Sequence, residues 1–162
     1  MNEKRKKFSR RQFVSSSAVS LAGIMIIPSA ACNRSGGAKK DPNLVRLGFI
    51  GLGRQAMYLT DGFIRIPGVE VRAGCDVYGI KRTRFANKVN AFYTESGKTI
   101  RAETYEKYGD LLDRDDIDAV VISVPDHAHA FMAIAALKAG KDVYLEKPMT
   151  FTIYEGQQLK KT

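Results

Sequence analysis

The chain has 162 residues, enough for one domain with a proper core and too few for two. Its composition is that of an ordinary globular protein, with no tryptophan. The formal charge of +9 would suggest nucleic acid, but nine of the 26 Lys and Arg lie in residues 1–40 against a single Glu there, so the remainder is nearly neutral and nucleic-acid binding loses its main support.

In chain order, residues 1–31 read first as a targeting segment. A basic stretch, MNEKRKKFSRRQF, is followed by a weakly apolar run from Val14 to Ile27, then Pro28 and the small residues Ser29, Ala30 and Ala31. That is the three-part layout of a secretory signal, too short and too polar for a comfortable membrane span. Ser9-Arg10-Arg11-Gln12-Phe13 resembles the bacterial twin-arginine signal. That signal implies passage through the twin-arginine export machinery in the folded state, to the periplasm or cell envelope. Cys32 directly follows, as the lipid-bearing cysteine of bacterial lipoproteins does, although Ser29 stands where those signals usually carry leucine. Cys32 is therefore a candidate for a lipid anchor, and residues 32–43 form a polar linker.

From residue 44 to 162 strand and helix alternate. LVRLGFI (44–50) is a near-continuous apolar strand, 54 to about 66 a helix closed by Pro67-Gly68, and VEVRAGC (69–75) a second strand. The next helix runs from 79 to about 94, with Phe85, Val89 and Phe92 on one face. A weak strand is expected at 99–102 and a short helix at 105–112. DAVVISV (118–124) is the clearest strand. A helix from His127 to Ala139 follows, with Gly140 placed for a left-handed cap, then the strand DVYLE (142–146) and a helix over 153–161. Strands apolar on both faces and separated by helices predict an α/β fold with a parallel sheet covered on each side. Cys75 sits in an apolar strand and is expected to be a small buried hydrophobe; no disulfide framework is on offer.

Three places carry chemistry. Gly51-Leu52-Gly53-Arg54-Gln55-Ala56 matches G-x-G-x-x-A between a strand and a helix. There Gly51 permits the turn, Gly53 lets backbone N–H groups approach a pyrophosphate, and Ala56 allows close helix–strand packing. Asp76 ends the second strand, 20 residues beyond Ala56. A carboxylate there accepts from an adenosine ribose and favours NAD, while Lys81, Arg82 and Arg84 close behind keep NADP open. Finally, Glu146-Lys147-Pro148 ends a strand in two charges and an imide. A solvated strand end would look the same, but beside the glycine turn Lys147 reads as facing a bound molecule.

GLGRQA after a strand, CDVY, DIDAVVISVPDHAHA and AGKDVYLEKP together resemble the Gfo/Idh/MocA oxidoreductase family over residues 44–162. The resemblance implies that Gly51, Gly53, Arg54 and Gln55 line the pyrophosphate of NAD(P) and Asp76 the ribose. It places Ser123, Pro125, Asp126 and His129 along the cofactor, whereas His127 is read as an incidental helix-start residue. It makes Glu146, Lys147 and Pro148 the nicotinamide end, with Lys147 as the catalytic residue that holds a substrate hydroxyl, Glu146 as an orienting residue, and Pro148 fixing the strand end through a cis bond. No metal is implied. The resemblance implies a Rossmann-type doubly wound parallel sheet, here incomplete at its C-terminal end, because the family normally adds a sixth core strand and a second domain that carries substrate specificity and proton-transfer groups. The chain therefore looks like a fragment, inactive by itself, of an enzyme that forms a homo-oligomer at full length. Free NAD(P) is scarce outside the cytoplasm, so an exported member is expected to hold its cofactor tightly while acting on a sugar or sugar derivative. An NAD-dependent glycosidase of the same family and a non-catalytic Rossmann module are the alternatives.

Overall fold

The computed structural model describes Asp41 and residues 43–162. The expected signal (1–31), Cys32 and most of the linker lie outside the described residues. The elements run β1 (Val45–Ile50), α1 (Arg54–Phe63), β2 (Val69–Cys75), α2 (Gly79–Glu95), β3 (Glu103–Tyr105), α3 (Tyr108–Leu112), β4 (Ala119–Ile122), a 3-10 turn (Asp126–Ala128), α4 (His129–Lys138), β5 (Asp142–Leu145) and α5 (Ile153–Lys161). All pairings are parallel, in the order β3-β2-β1-β4-β5. The chain winds outward through β2 and β3, then returns beside β1 to build β4 and β5. The order therefore reverses between β1 and β4, where sheets of this kind bind ligands outside their carboxyl ends.

Two apolar layers sandwich the sheet. Leu47, Phe49 and Val71 pack with Leu52, Ala56, Phe85, Val89 and Tyr93 against α1 and α2. Ile50, Ala73, Cys75, Val120 and Ile122 pack with Leu111, Ala133 and Ala136 on the other side. Each large side chain so buried contributes about 1.5–3 kcal/mol. Strict alternation would put Val71 and Ala73 on one face. They lie on opposite faces because β2 carries one extra residue, Arg72, between the pairings Leu47–Val71 and Gly48–Ala73.

That irregularity explains a departure in α2, whose buried face is Phe85, Val89 and Tyr93, with Phe92 only partly buried. The Val71 N–H donates to the Tyr93 hydroxyl at 2.7 Å, so a tyrosine fits where phenylalanine would leave a buried donor unpaired. The third strand is also displaced, to 103–105 from the expected 99–102. Ile100 packs against the α1/α2 core instead of joining the sheet, and the Ala102 N–H donates to Asn90 Oδ1. β4 stops at Ile122, two residues short of the expected end, and α3 begins three residues late.

Helix ends follow the sequence closely. Gly140 takes φ +72, its N–H donates to the Leu137 carbonyl and that of Lys141 to Ala136, a Schellman closure of α4. Thr152 and Glu155 form a reciprocal capping box at the start of α5.

Candidate nucleotide site

Parallel pairing and matched register place four of the expected site residues in one row. Cys75, Ile50, Ile122 and Leu145 are register partners across β2, β1, β4 and β5. The next residue on each strand is Asp76, Gly51, Ser123 and Glu146. The backbone ladder runs on through that row. The Gly51 N–H donates to the Cys75 carbonyl at 2.8 Å, Ser123 to Ile50 at 2.9 Å and Glu146 to Ile122 at 3.0 Å. The three separate motifs thus converge on one edge of the sheet.

At the first of them the backbone leaves no room for a side chain. Gly51 adopts φ +85, and a Cβ there would lie 2.3 Å from the Ser123 carbonyl oxygen. Its role combines left-handed conformation with close approach of β4. Gly53 differs: its φ is −71, and a Cβ would meet nothing within 4 Å. The open space it leaves lies at the N-terminus of α1, which has no side-chain cap and no acidic residue in its first turn. An uncapped N-terminus with free N–H groups and partial positive charge suits an anion, and Arg54 and Gln55 are exposed beside it. Leu52, between the glycines, is fully buried and Ala56 beneath it packs into the same core.

Asp76 has the position expected of it and an additional job. Its side chain accepts from the Leu52 N–H at 2.9 Å through Oδ2 and from the Tyr78 N–H at 2.9 Å through Oδ1. The carboxylate therefore ties the glycine turn to the end of β2. The basic residues behind it are engaged with this frame. Lys81 Nζ stands 3.4 Å from Asp76 Oδ2, Arg82 donates to the Asp76 carbonyl at 2.7 Å, and Arg84 reaches across to the Leu52 carbonyl at 2.9 Å. The Arg84 brace was not legible in the sequence, where its partner is 32 residues away and nothing in the local pattern marks it.

Beyond β4, Pro125, Asp126 and His127 are exposed, whereas His129 is 1% exposed and points into the fold. Its Nε2 lies 2.9 Å from the Val124 carbonyl oxygen, and its Nδ1 is hydrogen-bonded to the Pro148 carbonyl. Both ring nitrogens are occupied, so the ring has none left for a bound molecule. The Lys147–Pro148 peptide is cis. Lys147 and Pro148 are exposed, Glu146 is half-buried, and among the described residues Lys147 makes no ion pair, Glu146 included. Glu146 accepts a long bond from the Tyr144 hydroxyl at 3.4 Å instead.

Two neighbours have structural duties. Burial, reinforced by the Asp76 carboxylate, pushes the Cys75 thiol up to about 11, so it is neutral and inert as expected. Lys141 is 8% exposed, and its ammonium donates to the Arg114 carbonyl at 2.6 Å and the Ile117 carbonyl at 3.0 Å, anchoring the approach to β4. Among the described residues no group of three or more His, Cys, Asp or Glu could hold a metal ion.

A family model described as an oxidoreductase family with an NAD-binding Rossmann fold, Gfo/Idh/MocA, matches residues 45–162. A "Glycosyl hydrolase family 109 protein" of Shewanella pealeana is 32% identical over 96% of this chain and 37% of its own length. Another, from Shewanella sp. strain W3-18-1, is 36% identical over 74% of this chain and 26% of its own. Among solved structures, the 3-ketoreductase KijD10 of Actinomadura kijaniata, determined with NADP and TDP-benzene, is 30% identical with a TM-score of 0.63, over 73% of this chain and 33% of that one. A myo-inositol 2-dehydrogenase from Lactobacillus plantarum is 28% identical with a TM-score of 0.63, over 73% and 32%. The chain spans roughly a quarter to two fifths of the length of these relatives. Family match, strand order and glycine turn agree: the chain belongs to the Gfo/Idh/MocA oxidoreductase family and carries its NAD(P)-binding Rossmann domain.

Proposed function

We propose that the chain is the nucleotide-binding part of an exported enzyme that uses a tightly held NAD(P) to oxidise or reduce a sugar or sugar derivative. The observation that carries this reading is the single row Asp76–Gly51–Ser123–Glu146, which brings Asp76, the N-terminus of α1 and Lys147 to one sheet edge. When bound, the nicotinamide supplies the hydride chemistry. The chain's own residues divide the remaining work. First-turn N–H groups of α1, flanked by Arg54 and Gln55, hold the pyrophosphate over the space that Gly53 leaves open. Asp76 accepts from the ribose, and Ser123, Pro125 and Asp126 border the cofactor's middle. Lys147 presents an exposed ammonium at the end of β5, where it can hold a substrate hydroxyl and stabilise negative charge that develops on that oxygen as the proton leaves. Glu146 and Pro148 shape the loop that presents it.

The test is to express the protein from its complete reading frame, purify it from the envelope fraction, denature it and record the near-ultraviolet absorbance of the released small molecules. A released nicotinamide nucleotide supports the reading, and its absence would exclude a tightly held cofactor. Replacing Arg10 and Arg11 together by Lys should keep the protein in the cytoplasm if the twin-arginine signal is used. Loss of membrane association in a Cys32→Ala variant would mark the lipid anchor.

A second reading is favoured by the name carried by the curated relatives, glycosyl hydrolase family 109. An NAD-dependent glycosidase oxidises its sugar transiently and restores the cofactor within each turnover, an exception to the two-carboxylate mechanism. Release of chromophore from aryl glycosides without any external electron acceptor would favour it. Oxidation of free sugars that requires an acceptor would favour the dehydrogenase.

A further inference from the structure

We infer that His129 is a positioning residue: a latch that ties the Lys147–Pro148 loop to the start of α4, beside the β4 loop. The proposal rests on the reading of Lys147 given above. His129 is the first residue of α4, with its ring 1% exposed between two backbone carbonyls, Val124 on the loop leaving β4 and Pro148 on the loop leaving β5. Carbonyl oxygens only accept, so the arm at Pro148 needs the ring N–H at Nδ1. No ion pair involves His129 among the described residues, and the charged side chains of the two joined loops, Asp126, Glu146 and Lys147, make no hydrogen bond to it.

The Pro148 arm is the one that matters to the site. Downstream, residues 151 and 152 are fixed by the capping box, with both N–H groups donating to Glu155 Oε2 at 2.8 and 2.9 Å. Upstream, Glu146 is fixed by its ladder bond to Ile122. Between these points Lys147, Pro148 and Met149 are exposed, and the His129–Pro148 bond is the tether that reaches them from the core. Loss of this bond would free the backbone that carries Lys147 while leaving the glycine turn untouched.

Three variants of the complete protein separate the arms. In His129→Asn the side-chain amide nitrogen takes the place of Nδ1 and keeps the Pro148 arm. In His129→Gln it takes the place of Nε2 and keeps only the Val124 arm, and His129→Ala keeps neither. Hydrogen exchange of a peptide covering residues 145–152 should accelerate about tenfold in Gln and Ala and stay within about twofold of wild type in Asn. A peptide covering 47–56 should exchange at the wild-type rate in all three. Equal exchange in Asn and Ala would overturn the latch. If a variant does not fold, the wild type decides through NMR of the 15N-labelled ring, assigned by comparison with the other, folded histidine-to-alanine variants. A protonated Nδ1 supports the latch, and an unprotonated Nδ1 overturns it. Failure of the Lys147 reading is told apart by Lys147→Ala turnover, which these measurements do not use.

Discussion

The two ends of the site are built differently. At the β1–α1 turn, Asp76 binds the Leu52 N–H, Arg84 binds the Leu52 carbonyl and Gly51 lies in contact with the Ser123 backbone. Every constraint there comes from residues of the sheet or of α2, and Leu52 itself is in the core. The β5–α5 loop is tethered at its margins and exposed in between. Lys147 has no ion pair among the described residues, and Met149, Phe151, Ile153 and Tyr154 are all more than half exposed. The difference teaches that the glycine-turn end is fixed by the fold itself. The end that carries Lys147 depends on few bonds, so its variants should trade activity rather than stability.

The most damaging test of that contrast is Gly51→Ala. A methyl group 2.3 Å from a backbone oxygen, at φ +85, cannot be relieved by a rotamer change. The expected loss is about 3–5 kcal/mol, read by chemical denaturation, together with nucleotide binding. A near-neutral result would show that the turn is not rigidly fixed. Lys147→Ala is the opposite case: turnover of the complete protein should fall about 10²-fold or more, while the denaturation midpoint stays within about 0.5 kcal/mol of wild type. Asp76→Asn should fall between them. It weakens two charge-assisted bonds to backbone N–H groups, at about 1.5–3 kcal/mol, and lowers NAD affinity at the same time. A stability loss without an affinity loss would leave Asp76 a purely structural tie.

Two pH effects are smaller and sharpen the comparison from the structural side. The Cys75 thiol is raised from 9.0 to about 11 in the fold, so the unfolded chain loses its proton first as pH rises. Its contribution is complete below about pH 9 and is lost between about 9 and 11, and a Cys75→Ala variant should lack that part of the decline. The thiol should also resist alkylation at neutral pH in the native state. On the exposed side of β3, Arg114 donates to Asp116 at 2.6 and 2.7 Å and holds its carboxyl below the usual range. That stabilisation is present above the ordinary carboxylate value and fades as pH falls through the lowered one. With Asp116 half exposed it is worth within about 1 kcal/mol, measurable as the acid-limb difference between wild type and Asp116→Asn.

Most of the fold was legible because its signals are local. Continuous apolar runs gave β1, β2, β4 and β5, Gly140 and Thr152-x-x-Glu155 marked helix ends, and the glycine turn fell where strand meets helix. The failures occurred where one segment's fate depended on another. Phe92 and Tyr93 are equally apolar to a periodicity count, and the choice between them was made by the Val71 N–H that the Arg72 irregularity presents. Residues 99–102 have strand-like composition, yet Ile100 was drawn to the α1/α2 core and the third strand began four residues later.

The site divides in the same way. By itself the sequence determined which residue types stand at each strand end: Gly51, Asp76, Ser123 and the Glu146-Lys147-Pro148 run, because turn glycines, terminal charges and apolar runs are properties of short segments. Tertiary structure alone decided that these ends form one row, through parallel register across four strands, and that Arg84 braces the turn at the Leu52 carbonyl. It also decided that His129 faces inward, onto Val124 and Pro148, since the direction of a helix-start side chain is set by what packs around it and not by its neighbours in sequence.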